Sequence, residues 1–240
     1  MKTLTITLSL SLAFGVAAFA DTTDELKLIS GSNTLIVTDN GAGDFNPSNG
    51  TISYGNTDFN GWDISVTSGT SRSPGLSPFG LDLTSLTATC EGAGAASTDG
   101  AASPCASDPL QIWFSDIDFN VHVPANDFMT TFSSTQTGGG SVSETSWFAM
   151  TNVIFGQARL IGTVGPLTSS GGGSATGGPV ATTEPYSLTM EEVFNANGSN
   201  PVSFSVDGNV TAVPEPGAIV LFGTVLMLCA IGFRRRKLTR

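Results

Sequence analysis

Of the chain's 240 residues only 12 % are charged, with twenty acids against nine bases, and five of those bases crowd into the last seven positions. Residues 21–212 therefore hold nineteen acids and three bases, Lys27, Arg72 and Arg159, for a net charge of −16. So acidic a surface excludes nucleic-acid binding, which needs clustered Lys and Arg against phosphate. Its 192 residues suffice for one full core, and few helix formers among much Gly, Ser, Thr and Asn point to short strands and turns.

The chain opens with MKTLTITLSLSLAFGVAAFA, a single positive charge at Lys2 followed by an apolar stretch over Leu8–Phe19. It ends in Ala18-Phe19-Ala20, the small-x-small pattern accepted by signal peptidase, so 1–20 reads as a secretory signal peptide removed after Ala20. Strands follow. Leu35-Ile36-Val37 stops at Asp39-Asn40-Gly41, and Thr51–Tyr54 stops at Gly55-Asn56. Asn60-Gly61 reads as a hairpin turn, since both residues tolerate positive φ. Beyond it, the two-residue period puts Trp62, Ile64 and Val66 on one face of a strand and Asp63 and Ser65 on the other. Leu81 and Leu83 share parity and Leu86 breaks it, which predicts a bulge at Thr84-Ser85.

Cys90 and Cys105 flank the small-residue segment EGAGAASTDGAASP. In an oxidising compartment they are expected to pair, closing a loop worth roughly 3 kcal/mol in the chain-entropy model. In LQIWFSDIDFNVHV, 110–123, Leu110, Ile112 and Phe114 are even while Ile117, Phe119 and Val121 are odd. Either a bulge near Ser115 re-aims this strand or its first half is buried on both faces. Further strands are predicted at Phe128–Ser133, Trp147–Val153, Ala158–Thr163, Tyr186–Phe194 and Val202–Val206, with another beginning at Val210. The run TSSGGGSATGGP, 168–179, reads as a flexible loop inserted within one domain. About a dozen short strands and no amphipathic helix predict an all-β sandwich or jelly roll over 21–212.

The last part, 213–240, has three pieces in order. Val213-Pro214-Glu215-Pro216 is extended and wet, because proline ends a strand ladder and restricts its neighbour. Gly217–Phe233 is seventeen residues without a charge, the lower limit for crossing a hydrocarbon core of ~30 Å. Arg234, Arg235, Arg236, Lys237 and Arg240 then mark the cytoplasmic side, so 21–212 faces outward. This succession closely resembles the PEP-CTERM sorting signal of Gram-negative bacteria. The resemblance implies transient anchoring in the inner membrane, recognition of Pro214, Glu215 and Pro216 by an exosortase, and release to the cell surface or outside. It also implies a host that makes exopolysaccharide. The runs GWDISVTSG, LDLTSLTAT, WFSDIDF and EPYSLTMEEVF are similar, more loosely, to β-rich domains attached to such tails, which implies a sandwich of unassigned activity.

Chemistry is sparse. His122 is the only histidine, beside Asp116, Asp118 and Asn120 on a polar strand face, and no Gly-x-Ser-x-Gly elbow accompanies it. Zinc lacks ligands, and neither a Walker loop nor a dinucleotide fingerprint occurs. Asp116 and Asp118, two apart on one strand face, would put their carboxylates within the range of a glycosidase pair, but only Trp62, Trp113 and Trp147 are there to stack on sugar. Calcium suits the excess of hard oxygen ligands better. Asp39 and Asp44 in TDNGAGDFNPSNG could fold round an ion, as could Asp116 with Asp118; the competing reading is an Asx-rich turn whose side chains bond their own backbone. The expectation is an exported, non-enzymatic surface or matrix protein, structural or interactive in an exopolysaccharide or biofilm setting. The alternatives are a lectin-like or calcium-dependent adhesive module and, behind it, a secreted glycoside hydrolase.

Overall fold

In the computed structural model of the chain, the structure describes residues 24–72, 80–90, 104–119, 126–180, 185–198 and 201–213, together with Thr224. The expected signal peptide, His122, Asn120, and the tail from Pro214 onward apart from Thr224 lie outside the described residues. Twelve strands run in order: β1 (Glu25–Ser30), β2 (Asn33–Thr38), β3 (Thr51–Phe59), β4 (Trp62–Arg72), β5 (Gly80–Cys90), β6 (Leu110–Phe119), β7 (Asn126–Thr137), β8 (Ser141–Ala149), β9 (Arg159–Leu167), β10 (Gly171–Val180), β11 (Tyr186–Asn195) and β12 (Val202–Val213). They form two six-stranded sheets, the first ordered β2-β1-β6-β11-β8-β9 and the second β10-β7-β12-β5-β4-β3. Every ladder is antiparallel. The architecture is the predicted all-β sandwich.

Alternation is the cause. Trp62, Ile64 and Val66 are buried between the sheets while Asp63 and Ser65 face water. The hairpin before them turns on Asn60 and Gly61, both at positive φ, with Phe59 opposite Trp62. Leu81, Leu83 and Leu86 are all fully buried, and the parity change is absorbed as predicted. Ser85 takes positive φ, the β5–β12 register shifts there, and the Ser85 N–H donates to Asp207 Oδ1 at 2.7 Å. Each large apolar side chain so enclosed contributes ~1.5–3 kcal/mol.

Aromatic rings gather at two places in the core. Trp62, Phe194 and Phe204 meet with centroids 5.5–6.5 Å apart. Phe119, Phe128, Phe148 and Tyr186 form the second group. The Cys90–Cys105 disulfide is formed, with a Cα–Cα distance of 5.8 Å, and ties β5 to the 3₁₀ turn Pro104–Ala106 that leads into β6. Cys90 lies opposite both Trp62 and Val202, so the bridge closes the core beside the first aromatic group.

Four local expectations are corrected. The glycine-rich run placed in a loop is strand β10, paired along β7. Its lack of side chains lets it press against β9 across the sandwich edge, where a Cβ on Gly177 would lie 2.9 Å from the Ile161 backbone. Edge strand β10 is thereby shielded, which suppresses edge-to-edge pairing. Strand β8 starts earlier than Trp147 and ends at Ala149, and the chain turns at Met150-Thr151. The two strands placed at Val202 and Val210 are the single strand β12, because Gly208 between them keeps its place in the ladder with β7.

The fourth correction concerns β6. Its shift falls at Ile117-Asp118, with Asp118 at φ 62° and the register to β11 slipping between Tyr186 and Leu188, and not at Ser115. Trp113 and Ser115 are buried as well, so the first half of β6 is covered on both faces, the second of the two arrangements expected for this strand. The shift also separates the two aspartates expected on one face. Asp116 is buried and accepts a hydrogen bond from the Ser71 hydroxyl of the facing sheet, whereas Asp118 accepts from Asn152 Nδ2 at 2.6 Å.

Candidate functional site

The outer face of the first sheet brings together a buried tryptophan, Trp113, with half-buried Trp147, Phe155, Lys27 and Glu191. Trp113 on β6 lies opposite Lys27 of β1 and Glu191 of β11, while Trp147 on β8 lies opposite Thr189 of β11. Strand β11 thus runs between the two tryptophans, and their rings meet over it. The ring centroids are 5.5 Å apart and the planes 11° from parallel. Lys27 Nζ sits 4.6 Å from the Trp113 ring centre and 4.0 Å from that of Phe155. Such cation–π contacts are worth ~0.5–2 kcal/mol depending on desolvation.

Phe155 comes from the β8–β9 connection, which folds back over the sheet. Its N–H donates to Ser115 Oγ at 2.9 Å, and that hydroxyl donates in turn to the Leu188 carbonyl at 2.9 Å. The anchoring buries Ser115 and Thr189 on what is otherwise the solvent side. Around the tryptophans the same connection and β9 leave Met150, Val153 and Leu160 about half exposed, at 53, 49 and 53 %. Burial lowers the pKa of Lys27, opposed by Glu191 and Glu25. Burial likewise raises that of Glu191, opposed by Lys27. The face therefore offers a flat, half-open ring on Trp147, aliphatic neighbours, and a cation and an acid set beside them. Trp62, the third tryptophan of the sequence, belongs to the core, with Nε1 donating to the Asp108 carbonyl at 3.2 Å.

The aspartates considered for calcium are differently employed. Asp39 Oδ2 accepts from the Gly50 N–H at 2.8 Å. Asp44 accepts from the N–H groups of Asn40, Asn46 and Ser53, each at 2.9 Å. Asn40 Nδ2 reaches Asn49 Oδ1 at 3.1 Å, and Asn46 Oδ1 accepts from Ser48 N–H at 3.0 Å. The loop is thus knitted by its own Asx side chains, with the carboxylate oxygens spent largely on backbone amides. Asp116 and Asp118 are turned apart. Among the described residues no three His, Cys, Asp or Glu side chains gather in a group that could hold a metal.

Two acids that sequence reasoning passed over sit at the centre of the sandwich. Glu144 of β8 and Glu192 of β11 are direct cross-strand partners and both are 0 % exposed. Parity gives the signal. Glu144 shares its face with Val142 and Phe148, and Glu192 continues the series Tyr186, Leu188, Met190, Phe194. Burial pushes the Glu144 carboxyl up to about 8, against the lowering effect of hydrogen bonds from Thr130 and Ser146 and with a small push from Asp82. Glu192 is raised well above the usual carboxylate range, by burial first and then by Glu144 and Asp207.

The tail motif follows the fold without a spacer: β12 runs to Val213 inside the second sheet, and Pro214 is the next residue. Among the described residues no helix is long and apolar enough to cross a membrane. Comparison with curated protein sequences gives no match. Among solved structures the chain is similar to the carbohydrate-binding module TmCBM61 in complex with β-1,4-galactotriose, at 9 % identity and a TM-score of 0.32, over 72 % of this chain and 92 % of that one. It is also similar to the enzymatically active domain of tailspike protein 4 of bacteriophage CBA120, at 13 % identity and TM-score 0.31, over 64 % of this chain and 20 % of that one. A third is a carbohydrate-binding module of the β-sandwich superfamily, at 11 % identity and TM-score 0.27, over 76 and 70 % of the two chains. Likeness at this level says nothing of ligand or activity. Residues 212–237, by contrast, match the PEP-CTERM protein-sorting motif, and the chain is accordingly a β-sandwich protein that carries a PEP-CTERM sorting signal at its C-terminus.

Proposed function

We propose that the sandwich is exported, held briefly in the inner membrane by the tail, freed by an exosortase, and used outside the cell as a non-enzymatic module that binds neutral polysaccharide. The observation that carries the binding role is the Trp113–Trp147 stack on an outward sheet face, flanked by Lys27 and Glu191. A flat ring with one open side suits the apolar face of a pyranose, and the charged groups beside it suit the hydroxyls. A neutral ligand is favoured because a net charge of −16 over residues 21–212 repels an anionic polymer. Binding to a matrix polymer gives an exopolysaccharide or biofilm setting its physical basis.

Affinity electrophoresis of the full chain in detergent, through gels containing neutral or anionic polysaccharides, tests this reading. Retardation is expected in at least one neutral gel, and Trp147→Ala is expected to weaken it tenfold or more, about 1.4 kcal/mol or above, as for aromatic hot spots. Unretarded wild-type migration in every gel, or retardation that Trp147→Ala leaves unchanged, would remove the proposal.

A further inference from the structure

Glu144 and Glu192 project from the first sheet toward β12 of the second, where Gly208 stands. A Cβ on Gly208 would collide with Glu144 Oε2, and would lie 2.6 Å from Glu192 Oε1 and 3.0 Å from Met190 Cε. The two carboxylates therefore converge on one point, and the absent side chain leaves them room. Glu144 Oε1 accepts hydrogen bonds from Thr130 Oγ1 and from Ser146 Oγ, the latter at 3.3 Å, and the two hydroxyls are 3.0 Å apart. Among the described residues Glu144 Oε2 and both oxygens of Glu192 have no hydrogen-bond partner.

A fully buried side chain aimed at its neighbour with both oxygens unpartnered is costly, at several kcal/mol if ionised and uncompensated. Among the described residues the other charged groups bearing on the pair are acids too: Asp82 on β5 and Asp207 on β12. These two line a depression of about 190 Å³ on the outer face of the second sheet, with Gly208 also in its lining. Two carboxyls thus meet at Gly208 within the core, and the two aspartates belong to the depression on the outer side of the same sheet. Either bound protons or a bound cation must neutralise the inner pair. The donors on Glu144 favour its ionised form, and the inner set is made wholly of hard oxygens, four from carboxylates and two from hydroxyls.

We propose that Glu144 and Glu192, with the hydroxyls of Thr130 and Ser146, form a buried site for one calcium ion that joins the two sheets at their centre. The ion takes the place of the missing hydrogen bonds on Glu192, and the acids of the outer depression raise the local concentration of cations. The site is distinct from the Asp39–Asp44 loop and from Asp116 and Asp118.

The test is elemental analysis and thermal melting of the full chain purified without chelator, beside Glu192→Gln and the double variant Glu144→Gln with Glu192→Gln. One calcium per chain is expected in the wild type and none in either variant. With EDTA the wild-type Tm is expected to fall, and calcium a hundredfold above its Kd is expected to restore about 5–10 °C, while the variants do not respond. Calcium retained by Glu192→Gln would place the ion elsewhere and overturn the assignment. So would a metal-free wild type indifferent to EDTA. In that case protons neutralise the pair, and wild-type stability would decline from about pH 5 to about pH 8, whereas the double variant, with both carboxyls removed, would show less decline. If the double variant fails to fold, the single variant and the wild-type metal content still decide.

Discussion

Gly140→Ala is expected to lower the stability of the sandwich by roughly 2–4 kcal/mol, the combined scale of a strained backbone and an overpacked core. Residues Gly138-Gly139-Gly140 carry the chain from β7 in the second sheet to β8 in the first. Gly140 has φ +138°, and a Cβ there would lie 2.6 Å from the Asn195 carbonyl and 2.9 Å from Phe204 Cζ. Neither neighbour can yield readily, because one is backbone and the other is fully buried against Trp62 and Phe194. Gly138, at φ +85° and against the Pro201 carbonyl, is expected to behave alike. Gly139 supplies the control within the same turn: a Cβ there meets nothing within 4 Å, so Gly139→Ala should change stability by less than about 0.5 kcal/mol. Urea midpoints of the three variants read the contrast, and equal shifts at 139 and 140 would mean that close approach between the sheets is not what fixes this turn.

Removing the disulfide by a joint Cys90→Ala and Cys105→Ala change is expected to cost about 3 kcal/mol, the chain-entropy scale for its fifteen-residue separation. A further loss comes from packing, since both residues are buried and Cys90 lies between Trp62 and Val202 in the ladder. The same loss should appear when wild-type protein is melted with and without reductant. A reduced chain that melts with the oxidised one would show that residues 91–104 need no covalent closure for the sandwich to form.

What sequence could reveal here followed from side-chain parity. Strand β4 and its Asn60-Gly61 turn were legible because Trp62, Ile64 and Val66 alternate without exception. The β5 bulge was legible because Leu86 breaks the rhythm of Leu81 and Leu83. Strand β10 was hidden, since glycine has no side chain to alternate and its place depends on close contact with β9. Strand β1 had the rhythm, with Leu26 and Leu28 inward and Lys27 outward, but six residues make a faint signal. Side-chain parity left β6 two arrangements, a bulge near Ser115 or two-sided burial of its first half. The second holds, and it was not decidable locally because the connection that bonds Phe155 to Ser115 is a tertiary effect.

The binding face was only half legible. Its tryptophans are visible in the sequence, yet their meeting depends on β6 and β8 flanking β11, an order set by pairing between strands far apart in the chain. The Glu144–Glu192 pair could have been found by applying the two-residue period strictly, which sends both inward. Polarity argued the other way, and such conflicts between local rule and global fold mark sites worth inspecting. The tail was the most legible part, because motif, apolar run and basic end are consecutive.

The sandwich is complete at Val213, and the sorting motif begins at the end of its last strand. On the proposed function the C-terminal segment is a removable address on the sandwich. Intact-mass measurement of the protein from host cells with and without the sorting enzyme tests this directly. The expected mature chain begins at Asp21 and ends near Pro214–Pro216 in normal cells, and still ends at Arg240, in the membrane fraction, when the enzyme is missing. A mass that includes Arg240 in both strains, or one that is shortened equally in both, would contradict it.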